Sequence, residues 1–377
     1  MLIENITNIS IRDTNECEKV DMQGFDFSKL NAISACPFYG ILRHVHNKTF
    51  QVNERAMALE CGALCHQCFA CYRALSIWDR GIEENKIKLV KIAENYLTKL
   101  FMEVIPDITP EQALHFVTDC NIEASKCTTK LAKYTVFSNF LIDNSTYYED
   151  PDDKKRTVVN IKDSLLQYCS QFLDLVQTEP VWVEDEENID SKIGIEIGFD
   201  TIITFTYEAN SMENTQDIRF IGKVDGIHKR LSDNSLIIHE NKTTSRIDES
   251  WVGQWYKSHQ ITGYCIFAQY FTGQNCNQAR VLGMQIPQPK YSGTGYRTER
   301  VDRSETYFAD WARWVLTVYN IIEEYKNNPE IAPMNTHNCC KYYRQCNFLP
   351  LCVQSVEERI ETINNEMVYD EWSPLDE

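Results

Sequence analysis

The chain has 377 residues, enough for one large domain or two ordinary ones, and 55 acidic against 37 basic side chains leave a net charge of −18. That charge excludes indiscriminate nucleic-acid binding, and no apolar run approaches the roughly 20 residues of a membrane helix. Fifteen cysteines and no basic, apolar leader at residues 1–10 predict a cytoplasmic protein whose thiols are reduced or bind metal, rather than a disulfide framework. Taken in order, residues 1–26 are a polar, acidic lead-in, and Cys36-Pro37 marks a helix that Pro37 breaks or begins. Residues 54–79 predict a helix with Cys61, Leu64, Cys65, Cys68, Tyr72 and Leu75 in one stripe. The run Cys65-x-x-Cys68-x-x-Cys71 is either core or a metal knuckle, although a regular helix offers no closed four-ligand set. His66 lies off the stripe, four residues after Gly62, and is either a structural histidine or a ligand.

Residues 86–142 read as helical, with Thr109-Pro110-Glu111 as a helix start: a capping hydroxyl, a proline at the first position and an early acid. A solvated linker at 148–156 and a helix at 163–177 follow. Strand signals begin at 181–183 and strengthen at 193–197 and 201–207, where β-branched and aromatic residues dominate. Glu196 has two placements open, toward a site or toward solvent. Residues 218–230 and 236–242, joined by Ser232-Asp233-Asn234-Ser235, predict a hairpin. Glu240 and Lys242 are two apart and leave one face of their strand, and pairing across the hairpin brings Asp225 near them.

Beyond the hairpin, residues 249–271 predict one helix, with Gln260 and Tyr264 on a common face. Trp251, Trp255 and Tyr256 on its first turns either stack on bases or fill core. A strand at 280–286 and an amphipathic helix at 304–326 come next. The chain closes with Cys339, Cys340, Cys346 and Cys352, and from Glu357 onward a tail of eight acids and one arginine.

Two carboxylates suit a hard divalent cation such as Mg²⁺ or Mn²⁺, which polarises a phosphoryl oxygen and lowers the pKa of water. Lys242 beside them orients that water or stabilises charge developing in the transition state. The set Asp225…Glu240-x-Lys242 is therefore a phosphodiester-cleaving site in outline. Around it the basic residues gather: between Arg219 and Arg246 there are six Lys/Arg against three Asp/Glu. Residues 280–303 add Arg280, Lys290, Arg297, Arg300 and Arg303, while acids collect at 149–153, 184–190 and the tail. Such segregation suits either a basic groove on an acidic protein or faces that are merely solvated.

Gly222-Lys-Val-Asp225, Glu240-Asn-Lys242-Thr243-Thr244 and Gln260-Ile-Thr-Gly-Tyr264 together resemble the PD-(D/E)XK nuclease superfamily, in its RecB-like, CRISPR-associated-type iron–sulfur exonuclease branch. The resemblance implies an α/β (α+β) fold: an αβββαβ core with a mixed sheet flanked by helices, a helical subdomain and a C-terminal metal-cluster cap. The corresponding segments are 1–80 with the cluster cysteine and His66, 81–178 helical, 179–330 the nuclease core, 331–356 the cysteine cap and 357–377 the acidic tail. It implies Asp225, Glu240, Lys242, Gln260 and Tyr264 as catalytic residues. His66, Asp225, Glu240 and Asn241 are the implied ligands of Mg²⁺ or Mn²⁺.

The same resemblance implies a [4Fe–4S] cluster on Cys36, Cys340, Cys346 and Cys352. The five-residue gap between Cys340 and Cys346 departs from the commonest family spacing, so Cys339 is an alternative ligand and Zn²⁺ an alternative metal. The expected function is a metal-dependent DNA exonuclease acting on single strands or duplex ends in recombination, repair or phage DNA metabolism. A recombination or replication protein is a further expected partner, and a membrane is not. The alternatives are a structure-specific or restriction-type endonuclease, and a non-catalytic DNA-end-binding protein that keeps the fold.

Overall fold

The computed structural model describes residues 3, 5–14, 23–51, 57–174, 178–183, 192–287, 295–335 and 346–371. In chain order the elements are β1 (Asn5–Asp13), α1 (Phe27–Ala35), α2 (Pro37–His44), β2 (Lys48–Thr49), α3 (Met57–Glu83), α4 (Ile87–Val104), α5 (Pro110–Ser125), α6 (Lys130–Asn144) and α7 (Val158–Asp174). Then come β3 (Thr178–Pro180), β4 (Trp182–Val183), β5 (Lys192–Ile193), β6 (Ile195–Ala209), β7 (Met212–Arg230) and β8 (Leu236–Thr244). The chain ends with α8 (Glu249–Tyr256), α9 (His259–Thr272), β9 (Gln278–Gln285), β10 (Tyr296–Asp302), α10 (Glu305–Tyr325), α11 (Leu349–Cys352), α12 (Val356–Asn365) and β11 (Val368–Tyr369). It is a mixed α/β fold with a mixed sheet flanked by helices. Among the described residues no helix is long and apolar enough to cross a membrane. Contacts divide the chain into two units that interleave in sequence: Met1–Glu54, Gly198–Lys223 and Ser304–Glu377, and Arg55–Ile197 with Val224–Arg303.

In the first unit β1 pairs antiparallel with β6 from Asn5↔Glu208 to Asp13↔Thr201. Asn210 and Ser211 between β6 and β7 both have positive φ, 51° and 60°, the handedness a two-residue hairpin turn requires. Phe27, Phe205, Phe220 and Trp311 interlock as the aromatic core, with Trp311 5.8 Å from the ring centroids of both Phe205 and Phe220. Asp26 caps α1 by accepting from the Lys29 N–H at 2.8 Å. Pro37 opens α2 at its first turn, so it starts a helix, and Cys36 sits between α1 and α2 as the cap of both.

The second unit carries residues 195–197 of β6 and 224–230 of β7. There β7 pairs antiparallel with β8 from Gly226↔His239 to Lys229↔Leu236, as the hairpin pattern predicts. β8 runs parallel to β9, and β10 returns antiparallel. A parallel neighbour needs a crossover, which α8 and α9 supply. Helices α3 to α7 bury one contiguous core that contains Cys61, Leu64, Cys65, Cys68, Cys71, Tyr72 and Leu75. Thr109 and Gln112 form a reciprocal capping box at the start of α5, with Pro110 at its first position.

The single helix expected over 249–271 is two helices. Ser258 caps α9 through its hydroxyl, which accepts from Ile261 N–H. Buried Arg303 holds the break open: its Nη2 donates to the carbonyls of Trp255 at 3.2 Å and Ser258 at 3.0 Å, and its Nε to Thr262 Oγ1 at 2.8 Å. Helical periodicity continues through such a break, so the pattern of apolar residues did not reveal it.

Candidate metal centre

Three elements of the second unit converge. Helix α3 delivers His66, β7 delivers Asp225 and β6 delivers Glu196. His66 Nδ1 lies 3.5 Å from Asp225 Oδ2 and 3.9 Å from Glu196 Oε1, and the three ligand atoms all fall within 4.8 Å of one another. An imidazole and two carboxylates are a donor set suited to a small divalent cation. Glu196 reaches this point through an unusual backbone. Its φ is 46°, left-handed for a residue with a side chain, and Gly194 two residues earlier has no room for one. A Cβ on Gly194 would stand 2.2 Å from the Ile227 carbonyl oxygen. The kink Gly194-Ile195-Glu196 thus lies against β7, and the site residue is strained in place.

The hairpin supplies the rest. Asp225 Oδ2 accepts from the main-chain N–H of Asn241 at 2.7 Å, which ties the two strands together at the site. Glu240 is fully buried, and Lys242 Nζ is 2.5 Å from its Oε1. Burial, reinforced by the charge of Asp225, pushes the Glu240 carboxyl up to about 7 against the pull of Lys242. Burial also raises Glu196, with Asp225 adding to it. Desolvation works against the cationic forms of Lys242 and His66, yet the carboxylates outweigh it and both end raised. On α9, Gln260 Nε2 donates to Tyr264 Oη at 2.9 Å. Burial holds the Tyr264 phenol well above its ordinary range, and Glu240 and Asp225 add to that, so it remains a proton donor beside the carboxylates.

Asp225, Glu240, Lys242, Gln260, Tyr264 and His66 therefore belong to one constellation. The Asn241 side chain does not join it. Strand alternation turns that side chain to the opposite face of β8, where its Oδ1 accepts from Tyr168 of α7 at 2.9 Å. Glu196, left open by the sequence, faces the site. One residue escaped the sequence reading altogether: Arg73, fully buried, whose Nη1 donates to the Asp225 carbonyl oxygen at 2.8 Å. Its signal was available, since Arg73 is a charged residue seven positions after His66 and so on nearly the same face of the helix. Trp251 and Trp255 are core rather than base-stacking groups, 7% and 8% exposed, and Lys242 Nζ sits 6.0 Å from the Trp255 ring centroid. Tyr256 is exposed.

The cysteines separate into two kinds. Cys65, Cys68 and Cys71 are buried in the core, and their thiols are pushed up, Cys68 and Cys71 chiefly by burial and Cys65 by its bond with Cys61 and by burial. They pack as neutral apolar groups, not as a knuckle. Cys36, Cys346 and Cys352 lie in the first unit and are half-buried. Cys36 Sγ accepts from the Asn335 N–H at 3.4 Å. Phe348, between the other two, packs edge-on against Tyr39 of α2 at 4.9 Å. Burial raises the Tyr39 phenol. Cys339 and Cys340 fall outside the described residues, as does Lys290.

Five arginines of the predicted basic stretch are locally compensated. Arg219 pairs with Asp200, Arg230 with Asp233, Arg246 with Asp248, Arg297 with Glu299 and Arg300 with Asp302. These arginines favour the solvated-face alternative over a continuous groove. Neither a protein-family model nor a curated protein matches the chain.

Proposed function

We propose that the chain is a metal-dependent deoxyribonuclease with the PD-(D/E)XK core, an exonuclease working on DNA ends or single strands in the cytoplasm. The observation that carries the proposal is the meeting of His66, Glu196 and Asp225 beside the ion pair of buried Glu240 with half-buried Lys242. The orphaned atoms fit a cation: among the described residues Glu196 Oε1 and Glu240 Oε2 are buried without a hydrogen-bond partner. A divalent ion there, Mg²⁺ or Mn²⁺, supplies Lewis-acid polarisation of a phosphoryl oxygen. Lys242 stabilises the charge that gathers on the phosphoryl oxygens as water adds and one P–O ester bond breaks. Tyr264, whose hydroxyl accepts from Gln260, keeps its phenolic proton beside the carboxylates. Cys36, Cys346 and Cys352, with Cys339 or Cys340, are the residues that would hold a [4Fe–4S] cluster or Zn²⁺. Such a group supplies a staple between distant parts of the first unit.

Linear and circular DNA, single- and double-stranded, incubated with Mg²⁺ or Mn²⁺ tests the function. Loss of linear DNA with circular single strands intact is the expected result. Cleavage of circles makes the protein an endonuclease, and binding of ends with no cleavage makes it an end-binding protein; either result overturns the proposal.

A further inference from the structure

Arg73 is fully buried in α3, seven residues beyond His66, and at ~100° per residue seven positions return to nearly the same helix face. One helix thus carries both the imidazole and a guanidinium to the carboxylates. Arg73 Nη1 donates to the main-chain oxygen of Asp225 at 2.8 Å and stands 3.9 Å from Glu196 Oε1. Its Nε and Nη2 have no hydrogen-bond partner among the described residues. A buried guanidinium that makes so few bonds is a poor contributor to stability, because desolvation costs what pairing returns. What lies around it is equally specific. His228 and His239 stack at 3.9 Å with an interplanar angle of 15°, and the Thr178 hydroxyl lies 3.3 Å from Nδ1 of His228 and 3.5 Å from Nε2 of His239. Gly226, next to Asp225, leaves the space that the guanidinium and His228 occupy: a Cβ there would be 3.2 Å from Arg73 Cζ and 2.9 Å from His228 Nε2.

We propose that Arg73 is the positioning residue of the metal centre: its bond to the Asp225 main chain fixes the aim of that carboxylate, and its charge draws Glu196 into the ligand set. The inference rests on the metal-centre proposal above. Partners that orient metal ligands are worth about 10- to 100-fold in metal affinity. Arg73 acts from behind the ligands, without touching the metal or the substrate.

Calorimetric titration of the full chain with Mn²⁺ alone, in the absence of DNA, tests it. Arg73→Gln is expected to bind Mn²⁺ at least about tenfold more weakly than wild type. Arg73→Lys, which returns the charge and one donor, is expected to recover most of that loss. A folded Arg73→Gln with wild-type affinity overturns the proposal, as does a folded Arg73→Lys that binds no better than Arg73→Gln. If Arg73→Gln does not fold, Gly226→Ala displaces the guanidinium and leaves the charge in the chain. Weaker Mn²⁺ binding by that variant supports the proposal and unchanged binding overturns it. Wild-type protein that takes up no Mn²⁺ at His66, Glu196 and Asp225 removes the centre itself, an outcome distinct from any of these.

Discussion

Asp225→Asn is expected to abolish Mg²⁺-dependent DNA cleavage, lowering turnover by about three orders of magnitude or more, with the fold retained. The amide keeps the shape and can still accept from Asn241 N–H, so the hairpin pairing survives. What it loses is the charge that His66 faces at 3.5 Å. Glu240→Gln is expected to fall as far, and Lys242→Ala to lose rate while sparing Mn²⁺ binding, since Lys242 contacts Glu240 and not the triad. The pH dependence follows from the same residues. In metal-free protein Glu240 titrates at about 7 instead of 4.5, so the native state holds a proton that the unfolded state has released. Stability therefore declines as pH rises through that window, and a bound cation removes the decline. Thermal melts with and without Mn²⁺ between pH 5 and 8, beside single-turnover cleavage by each variant, measure both effects. Near wild-type turnover by Asp225→Asn places the chemistry elsewhere.

Glu196→Gly is expected to move stability and metal affinity in opposite directions. A left-handed φ of 46° costs a residue with a side chain about 1 kcal/mol, which glycine relieves. The same change removes a half-buried carboxylate that desolvation raises. Metal-free Glu196→Gly should therefore melt higher than wild type while binding Mn²⁺ at least about tenfold more weakly. Glu196→Ala loses the ligand without the backbone relief, so it should show the affinity loss and none of the backbone gain. Calorimetry and melting curves on the pair separate the two effects. Unchanged affinity in both variants takes Glu196 out of the centre.

The sequence disclosed what depends on local pattern. Alternation and turn chemistry placed the hairpin that carries Asp225, Glu240 and Lys242, and the Thr109-Pro110 cap placed α5. The four-residue spacing put Gln260 and Tyr264 together, as their hydrogen bond bears out. What it withheld depends on tertiary contact. The break at Ser258 is enforced by Arg303, forty-five residues away in the chain. Asn241 is a ligand by the resemblance, yet the alternation that unites Glu240 and Lys242 turns its side chain to the other face. Glu196 could be recognised only once Gly194 met the Ile227 carbonyl. The strand pattern at 193–197 contains an acid in an apolar run, and that anomaly was its one local trace. Arg73 likewise has meaning only beside Asp225 and Glu196, which come from distant strands.

Anomalous diffraction from crystals grown with Mn²⁺ locates the ion. The expected peak stands about 2–2.5 Å from His66 Nδ1 and from one oxygen each of Glu196 and Asp225, and is lost in Asp225→Asn. No peak at that point, with Mn²⁺ bound elsewhere or not at all, contradicts the proposed metal centre.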